Sequence, residues 1–337
     1  MAPTSVPAPA IDPDSAPVRD DGSVIVVVGE ALIDLVVSSD ASVHAAPGGA
    51  PFNSARAAAR LGAPVRFVGG ISTDAFGRRL VAQLADDGVD VSCAVRTELP
   101  TTLAAAELDP SGAADYRFYV EATSAPAVGL DAVRRALAPD EASGAHPDLL
   151  LTGGLALVLA PLRDSVLAAL DRLDERTLVV VDVNCRPAVV DDRDAYVARV
   201  ERALRRADLV KVSDEDLAYL RPGLAPVEAA VDLLGLGARV VVVTAGAAGT
   251  TVVGPGGEER VVDVPPPPGP VVDTIGAGDT FGAGVVAWWS ASGLGRADVD
   301  VATVVRAVRA GHAAAGVVVT RRGADPPTLH DLAIPWP

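Results

Sequence analysis

The sequence predicts an α/β protein: a doubly wound, mostly parallel sheet with a small β-strand lid. Three observations point to it. Short β-branched runs such as Val24-Ile-Val-Val-Val28 and Val240-Val-Val-Val-Thr244 read as strands buried on both faces, the habit of parallel sheets. Segments of helical spacing lie between such runs, so strand and helix alternate along the chain. From residue 94 to residue 121 the pattern changes to period-two alternation around a turn, the mark of a hairpin set into that alternation.

The elements follow in order. The first strand, residues 24–28, is bounded by Gly22 and Gly29, and Asp34 comes shortly after it. Helical spacing over residues 55–61 stops at Gly62, a natural C-cap, and Val65-Arg-Phe-Val68 is the next strand. Residues 78–87 form a helix closed by Gly88. Residues 101–107 and 115–121 pair around Asp109-Pro-Ser-Gly112, and the lid takes its strands from about 35–47 and 94–121. Strands at 149–152, 178–182, 209–211 and 240–244 alternate with helical segments. An antiparallel pair, 251–253 with 259–264, leads to the stiff connector Pro265-Pro-Pro-Pro268. Helices over 280–290 and 301–316 complete a single domain spanning 23–330, and residues 1–22 are expected to be a disordered tail.

Composition narrows the function classes. The chain has 337 residues, half of them hydrophobic but only 4% aromatic, so the core is built from Val, Leu and Ala. A net charge of −16 with no basic stripe excludes a nucleic-acid surface, and any attraction for an anionic nucleotide has to be local. Lys211 is the only lysine, and no G-x-x-x-x-G-K-[ST] phosphate loop exists. The longest apolar run, residues 149–162, is interrupted by Gly153-Gly154 and falls short of the roughly 18 residues a membrane span needs. The first residues carry neither a basic n-region nor an apolar h-region, and Cys93 and Cys185 form no C-x-x-C pair. A reduced, cytoplasmic setting is therefore expected.

The most informative stretch is Asp273-Thr-Ile-Gly-Ala-Gly-Asp-Thr-Phe-Gly-Ala-Gly284. It sets a glycine-rich turn and a carboxylate at the mouth of an apolar helix, where free amides and the positive end of the helix dipole receive an anion. A carboxylate in an anion site makes sense if it takes a proton, so Asp279 reads as the base for a hydroxyl attacking a phosphoryl group. The plainer alternative is an N-cap aspartate after a glycine turn.

That stretch resembles the D-T-x-G-A-G-D signature of the ribokinase-like (PfkB) family of carbohydrate kinases. Pro47-Gly-Gly-Ala-Pro-Phe-Asn-Ser-Ala-Arg-Ala-Ala-Ala-Arg-Leu-Gly62, followed by Phe67-Val-Gly-Gly-Ile-Ser-Thr-Asp-Ala-Phe-Gly77, resembles the family's first signature. The resemblance runs from about Val24 to Ala324 and implies a ribokinase-like fold, ATP and Mg2+ as cofactors, K+ as a further candidate, and a sugar as substrate. It implies that Asp279 is the base, that the amides of Gly276, Ala277 and Gly278 hold the transferred group, and that Asp34 binds sugar hydroxyls. Gly48 and Gly49 would form a hinge beside the sugar, and Asn53 would face it, although Asn53 is also a fair N-cap for a helix starting near Ser54.

Asp182-Val-Asn-Cys-Arg-Pro187 is similar to the D-x-N-x-R-P segment of the fructokinase-like branch, which would turn Asn184 and Arg186 toward ATP phosphates. Lys211-Val-Ser-Asp-Glu-Asp216 aligns with the N-x-x-E segment that organises magnesium through water. Lys211 and Ser213 then fall on the ATP side and Asp216 on the metal, with Glu215 as a substitute or the whole patch as an acidic helix start. Thr244, Gly246 and Gly249 match T-x-G-x-x-G and would contact ATP. Asp273 and the Ile275 carbonyl, with the loop Val319-Thr-Arg-Arg-Gly-Ala324, would hold the monovalent cation.

Fructose is the first candidate substrate and 2-keto-3-deoxygluconate the second, for which Arg117 on the lid would meet a carboxylate or else decorate the lid surface. A nucleoside kinase and a catalytically silent binding protein on the same scaffold are the remaining alternatives. The family also suggests a homodimer through the lid.

Overall fold

The computed structural model describes residues 23–37, 42–108, 114–139 and 146–337, so the expected tail and the 109–112 turn lie outside the described residues. In chain order the strands and helices are β1 (Val24–Val28), β2 (Leu32–Val37), β3 (Val43–Gly48), α1 (Ala50–Arg60), β4 (Val65–Val68), β5 (Gly70–Ser72) and α2 (Ala75–Asp86). Then come β6 (Val95–Thr97), β7 (Leu103–Leu108), β8 (Ala114–Tyr119), α3 (Leu130–Leu137), β9 (Pro147–Gly153), α4 (Leu162–Leu170) and β10 (Leu178–Asp182). The rest are α5 (Arg193–Leu204), β11 (Leu209–Ser213), α6 (Asp214–Leu220), α7 (Pro226–Leu234), β12 (Val240–Thr244), β13 (Thr250–Val253), β14 (Glu259–Val262), α8 (Ala277–Ala291) and α9 (Val301–Val318).

The main sheet has eight strands in the order β14-β13-β12-β11-β10-β9-β1-β4. Its six strands from β12 to β4 are parallel, while β13 and β14 run antiparallel at one edge. Strand alternation splits the core. Ile25 and Val27 join the layer under α1, α8 and α9, whereas Val26 and Val28 join the layer under α3 to α7. From β1 the chain first builds outward to β4 and later returns to β9 on the other side. The carboxyl ends of β1 and β9 therefore flank the switch point where ligands of such sheets bind.

Three helix starts differ from expectation, α8 beginning at Ala277 and not at residue 280. α1 begins at Ala50, five residues before the first expected position, because Pro51 sits in its first turn, where a missing N–H breaks no helical bond. α2 begins at Ala75 because Asp74 caps it, accepting from the Gly77 amide at 2.8 Å. α8 and α9 approach through glycines: a Cβ on Gly311 would lie 2.7 Å from the Phe281 carbonyl oxygen, and one on Gly284 would lie 2.9 Å from the Gly311 Cα. α9 is long and apolar enough to cross a membrane by length and composition alone, yet most of it is buried inside the molecule.

A second sheet, order β3-β2-β7-β8, stands beside the switch point. It begins at Leu32 and so includes Asp34. Val95–Thr97 does not join it, pairing instead with Gly70–Ser72 in a separate two-stranded sheet.

Candidate active site

Gly276 turns the chain into α8 with φ 75°, a left-handed conformation that glycine alone adopts freely, and a Cβ there would sit 2.6 Å from the Ala324 Cβ. The amide of Ala277 donates to the Thr274 carbonyl at 3.1 Å, so the anion-facing donors at this turn reduce to Gly276, Gly278 and Asp279. Asp279 lies inside the helix, in its first turn, and Gly276 holds the N-cap position, so the N-cap reading of Asp279 falls away. Its Oδ2 accepts from Asn53 Nδ2 at 2.8 Å, and its carbonyl accepts from the Ser54 hydroxyl at 3.3 Å. Asn53 is likewise interior to α1 and does not cap it; its amide crosses to α8.

Burial pushes the Asp279 carboxyl above its ordinary range, against the opposing pull of the Asn53 hydrogen bond, Lys211 and Arg186. Beneath the turn, Lys211 Nζ donates to both Asp182 oxygens at 2.7 and 2.9 Å, and a Cβ on Gly278 would lie 3.6 Å from that Nζ. Burial works to lower the lysine and to raise the aspartate, but the ion pair, with Asp279 and Asp216 nearby, holds Lys211 above its ordinary value.

A cavity of about 450 Å³ opens between α8 and the second sheet. The sheet contributes alternate residues: Leu32, Asp34 and Val36 from β2, Ala104 and Ala106 from β7, and Phe118 from β8. Asp34, Ala104 and Phe118 form one cross-strand row. A Cβ on Gly48 would collide with Asp34 Oδ2, at 1.9 Å, so that glycine is the space the carboxylate occupies. Glu30, Gly49, Asn53, Arg186, Ile275, Gly276 and Asp279 complete the polar side of the cavity. Desolvation first, and the Asp279 charge second, raise Asp34 to about 6, with Arg186 acting against them. Desolvation raises Glu30 to about 8.

A second cavity of about 390 Å³ lies on the other side of the same turn, lined by Thr244, Gly246, Pro265, Val271, Phe281 and His312 among others. Gly276 and Asp279 face the first cavity, and Ala277 and Gly278 the second. The two spaces therefore meet at the mouth of α8. Burial lowers the His312 pKa, so its ring is neutral, 5.0 Å from Phe281 and with Nε2 unpartnered. An apolar slot with few polar groups suits a flat heterocycle.

Other expected residues land differently. Arg186 lines the first cavity and not the second, because the turn after Asn184, whose φ is 42°, carries it toward the second sheet. Arg117 is exposed and absent from the cavity wall, since its neighbour Phe118 takes the inward position of β8. Gly249, with φ 122°, shapes the turn before β13 and does not line the second cavity.

Asp216 serves as an acidic helix start. Its amide donates to the Ser213 hydroxyl at 2.9 Å, and its carboxylate accepts from the amides of Ser213 (3.0 Å) and Cys185 (2.7 Å). Glu215 is exposed. Asp273 bridges two segments, accepting from the amides of Ile275 at 3.0 Å and Gly323 at 2.9 Å. Among the described residues no group of three or more His, Cys, Asp or Glu could cage a metal.

Sequence reasoning did not single out Glu30, Phe118 or His312. Glu30 carried a usable signal, a carboxylate shortly after β1 like Asp34; a lone histidine in an apolar helix carried none.

The chain is similar to known proteins in sequence and fold. A fructokinase from Rhizobium leguminosarum bv. trifolii is 35% identical over 267 residues, covering 78% of each chain. The crystal structure of fructokinase with bound ATP from Xylella fastidiosa superposes with TM-score 0.81 at 28% identity, covering 92% of this chain and 97% of that one. Fructokinase from Vibrio cholerae O395, in a fructose-, ADP- and calcium-bound form, gives TM-score 0.78 at 27% identity with the same coverage. The model of the pfkB family carbohydrate kinases matches residues 23–331. This chain belongs to that family, as an ATP-dependent carbohydrate kinase of its fructokinase-like branch.

Proposed function

We propose that the protein transfers the γ-phosphoryl group of ATP to a primary hydroxyl of fructose. The carrying observation is Asp279 at the junction of the two cavities, one polar and walled by the second sheet, the other apolar and flanked by β12 and α9. Fructose occupies the first, with Asp34 and Asn53 on its hydroxyls beside the Gly48-Gly49 hinge, and the adenine end of ATP the second, near Thr244 and Gly246. Asp279 takes the hydroxyl proton while the sugar oxygen bonds to Pγ and the bond to the bridging oxygen of ADP breaks. The amides at the α8 mouth and Lys211 hold the transferred group, and Arg186 adds positive charge from the sugar side.

Magnesium on the triphosphate would supply charge neutralisation, its water shell meeting the Asp182 carboxylate at the end of β10 and the Asp216 carboxylate in the first turn of α6, with Glu215 as the alternate. Asp273 and the Ile275 carbonyl, tied to the 319–324 loop, are the candidate K+ contacts. The second sheet acts as a lid that excludes water. Its edge strands carry exposed Val43 and Tyr119, which suit a homodimer contact that light scattering would detect.

One observation favours a second reading. Arg186 in the sugar cavity offers a guanidinium to a sugar acid such as 2-keto-3-deoxygluconate. Against it, the carboxyls of Asp34 and Asp279 share that cavity and offset the attraction of one arginine for an acid. A nucleoside base would want two aromatic walls, and among the described residues Phe118 is the one aromatic lining the space. The test is ADP release across fructose, 2-keto-3-deoxygluconate, ribose, tagatose-6-phosphate and adenosine. Fructose should give the highest kcat/KM; silence on every member would instead indicate a binding protein.

A further inference from the structure

Glu30 lies two residues beyond the end of β1 and is 3% exposed. Its Oε1 accepts from the Ala50 amide at 3.3 Å, which ties the carboxyl to the start of α1. The other oxygen, Oε2, is buried without a partner, and the residue lines the first cavity. A Cβ on Gly154 would lie 3.1 Å from Oε1 and 3.6 Å from Oε2, and one on Gly49 would lie 3.3 Å from Glu30 Cγ. Both glycines thus mould the backbone around this one side chain.

A buried polar atom without a partner is costly, and where it borders a ligand cavity the ligand is its natural partner. We propose that Glu30 is a substrate-binding and specificity-determining residue, whose Oε2 hydrogen-bonds one hydroxyl of the sugar. This rests on the sugar-kinase reading of the first cavity. Asp34 holds the sugar from the sheet side and Glu30 from the opposite floor, so a sugar lacking the hydroxyl between them leaves a buried carboxyl unpaired. Such sites reject the deoxy analogue strongly.

The charged groups around it are Asp34 from β2, Asp279 from α8 and Arg186 from the turn after β10; the neighbours from β7, β8 and the end of β9 are Ala104, Ala106, Phe118 and Leu155. In that setting burial keeps Glu30 protonated at neutral pH, able to donate to the sugar hydroxyl. Ionisation above about pH 8 would remove the donor and add a third carboxylate to the cavity.

The experiment measures kcat and KM for fructose and its 1-, 3- and 4-deoxy analogues with wild-type, Glu30→Gln and Glu30→Ala enzymes between pH 6.5 and 9.5. Glu30→Ala should raise KM for fructose by about tenfold or more, with a smaller effect on kcat. For one deoxy analogue the variant and wild type should converge, because the missing hydroxyl is the one contacted. Glu30→Gln places an amide Nε2 donor where Oε2 was, so it should raise KM less than Glu30→Ala does and show no further rise in KM above pH 8. Equal KM ratios for every analogue, or an unchanged KM in Glu30→Ala, would overturn the proposal and assign Oε2 to water. A wild-type enzyme inert toward fructose would overturn the functional reading itself, a result distinct from an active wild type with indifferent variants.

Discussion

Asn53 Nδ2 donates to Asp279 Oδ2 at 2.8 Å, joining the first turns of α1 and α8, which are separated by more than two hundred residues of sequence. The amide fixes the carboxylate and stabilises its charged form.

Asp279→Asn should lower kcat by about 10²–10⁴ while leaving ADP binding close to wild type, the cost of losing a positioned base. Single-turnover kinetics and ADP titration check both halves. A variant with wild-type kcat would remove Asp279 from the chemistry.

Asn53→Ala deletes the donor that lowers the Asp279 pKa, so that pKa rises further. The base then ionises only at higher pH, and the acid limb of the kcat/KM profile should move upward, with a loss of about tenfold at neutral pH. A loss of rate with an unmoved limb would mean that Asn53 acts on the sugar alone.

Stability should fall as pH rises. Glu30 at about 8 and Asp34 at about 6 both sit above their unfolded values, so the folded state holds more protons than the unfolded chain between roughly pH 4 and 8. Their contribution is full below about pH 4 and is lost as pH climbs through 6 and then 8. Urea unfolding at pH 5, 7 and 9 should show a decline, on the order of a few kcal/mol, and Glu30→Gln should flatten its upper part.

Gly311→Val places a branched side chain where a Cβ already meets the Phe281 carbonyl at 2.7 Å. The α8–α9 contact should lose about 1–3 kcal/mol from overpacking, read as a lower urea midpoint. Because α8 carries Asp279, kcat should fall as well.

Replacing K+ by Na+ or choline should slow turnover, and Asp273→Ala should abolish that ion dependence. Asp273 already draws Ile275 and Gly323 together, so a variant whose activity is low in every salt would mark a purely structural bridge.

The strands themselves and the glycine turn that opens α8 were legible in the local sequence. β1, β4, β10 and β12 are legible to the residue because strands of a covered parallel sheet are rich in β-branched and apolar residues. Asp279 and its glycines are legible because the chemistry is local to one turn. Tertiary structure decided what depends on distant partners. It gave Asn53 to Asp279 in place of a helix cap, turned Phe118 inward and Arg117 outward, brought Arg186 to the cavity beside the second sheet, and closed Asp216 into a capping box. It also made Glu30 and His312 notable, since an unpartnered buried atom exists only once the surrounding elements have packed and excluded water.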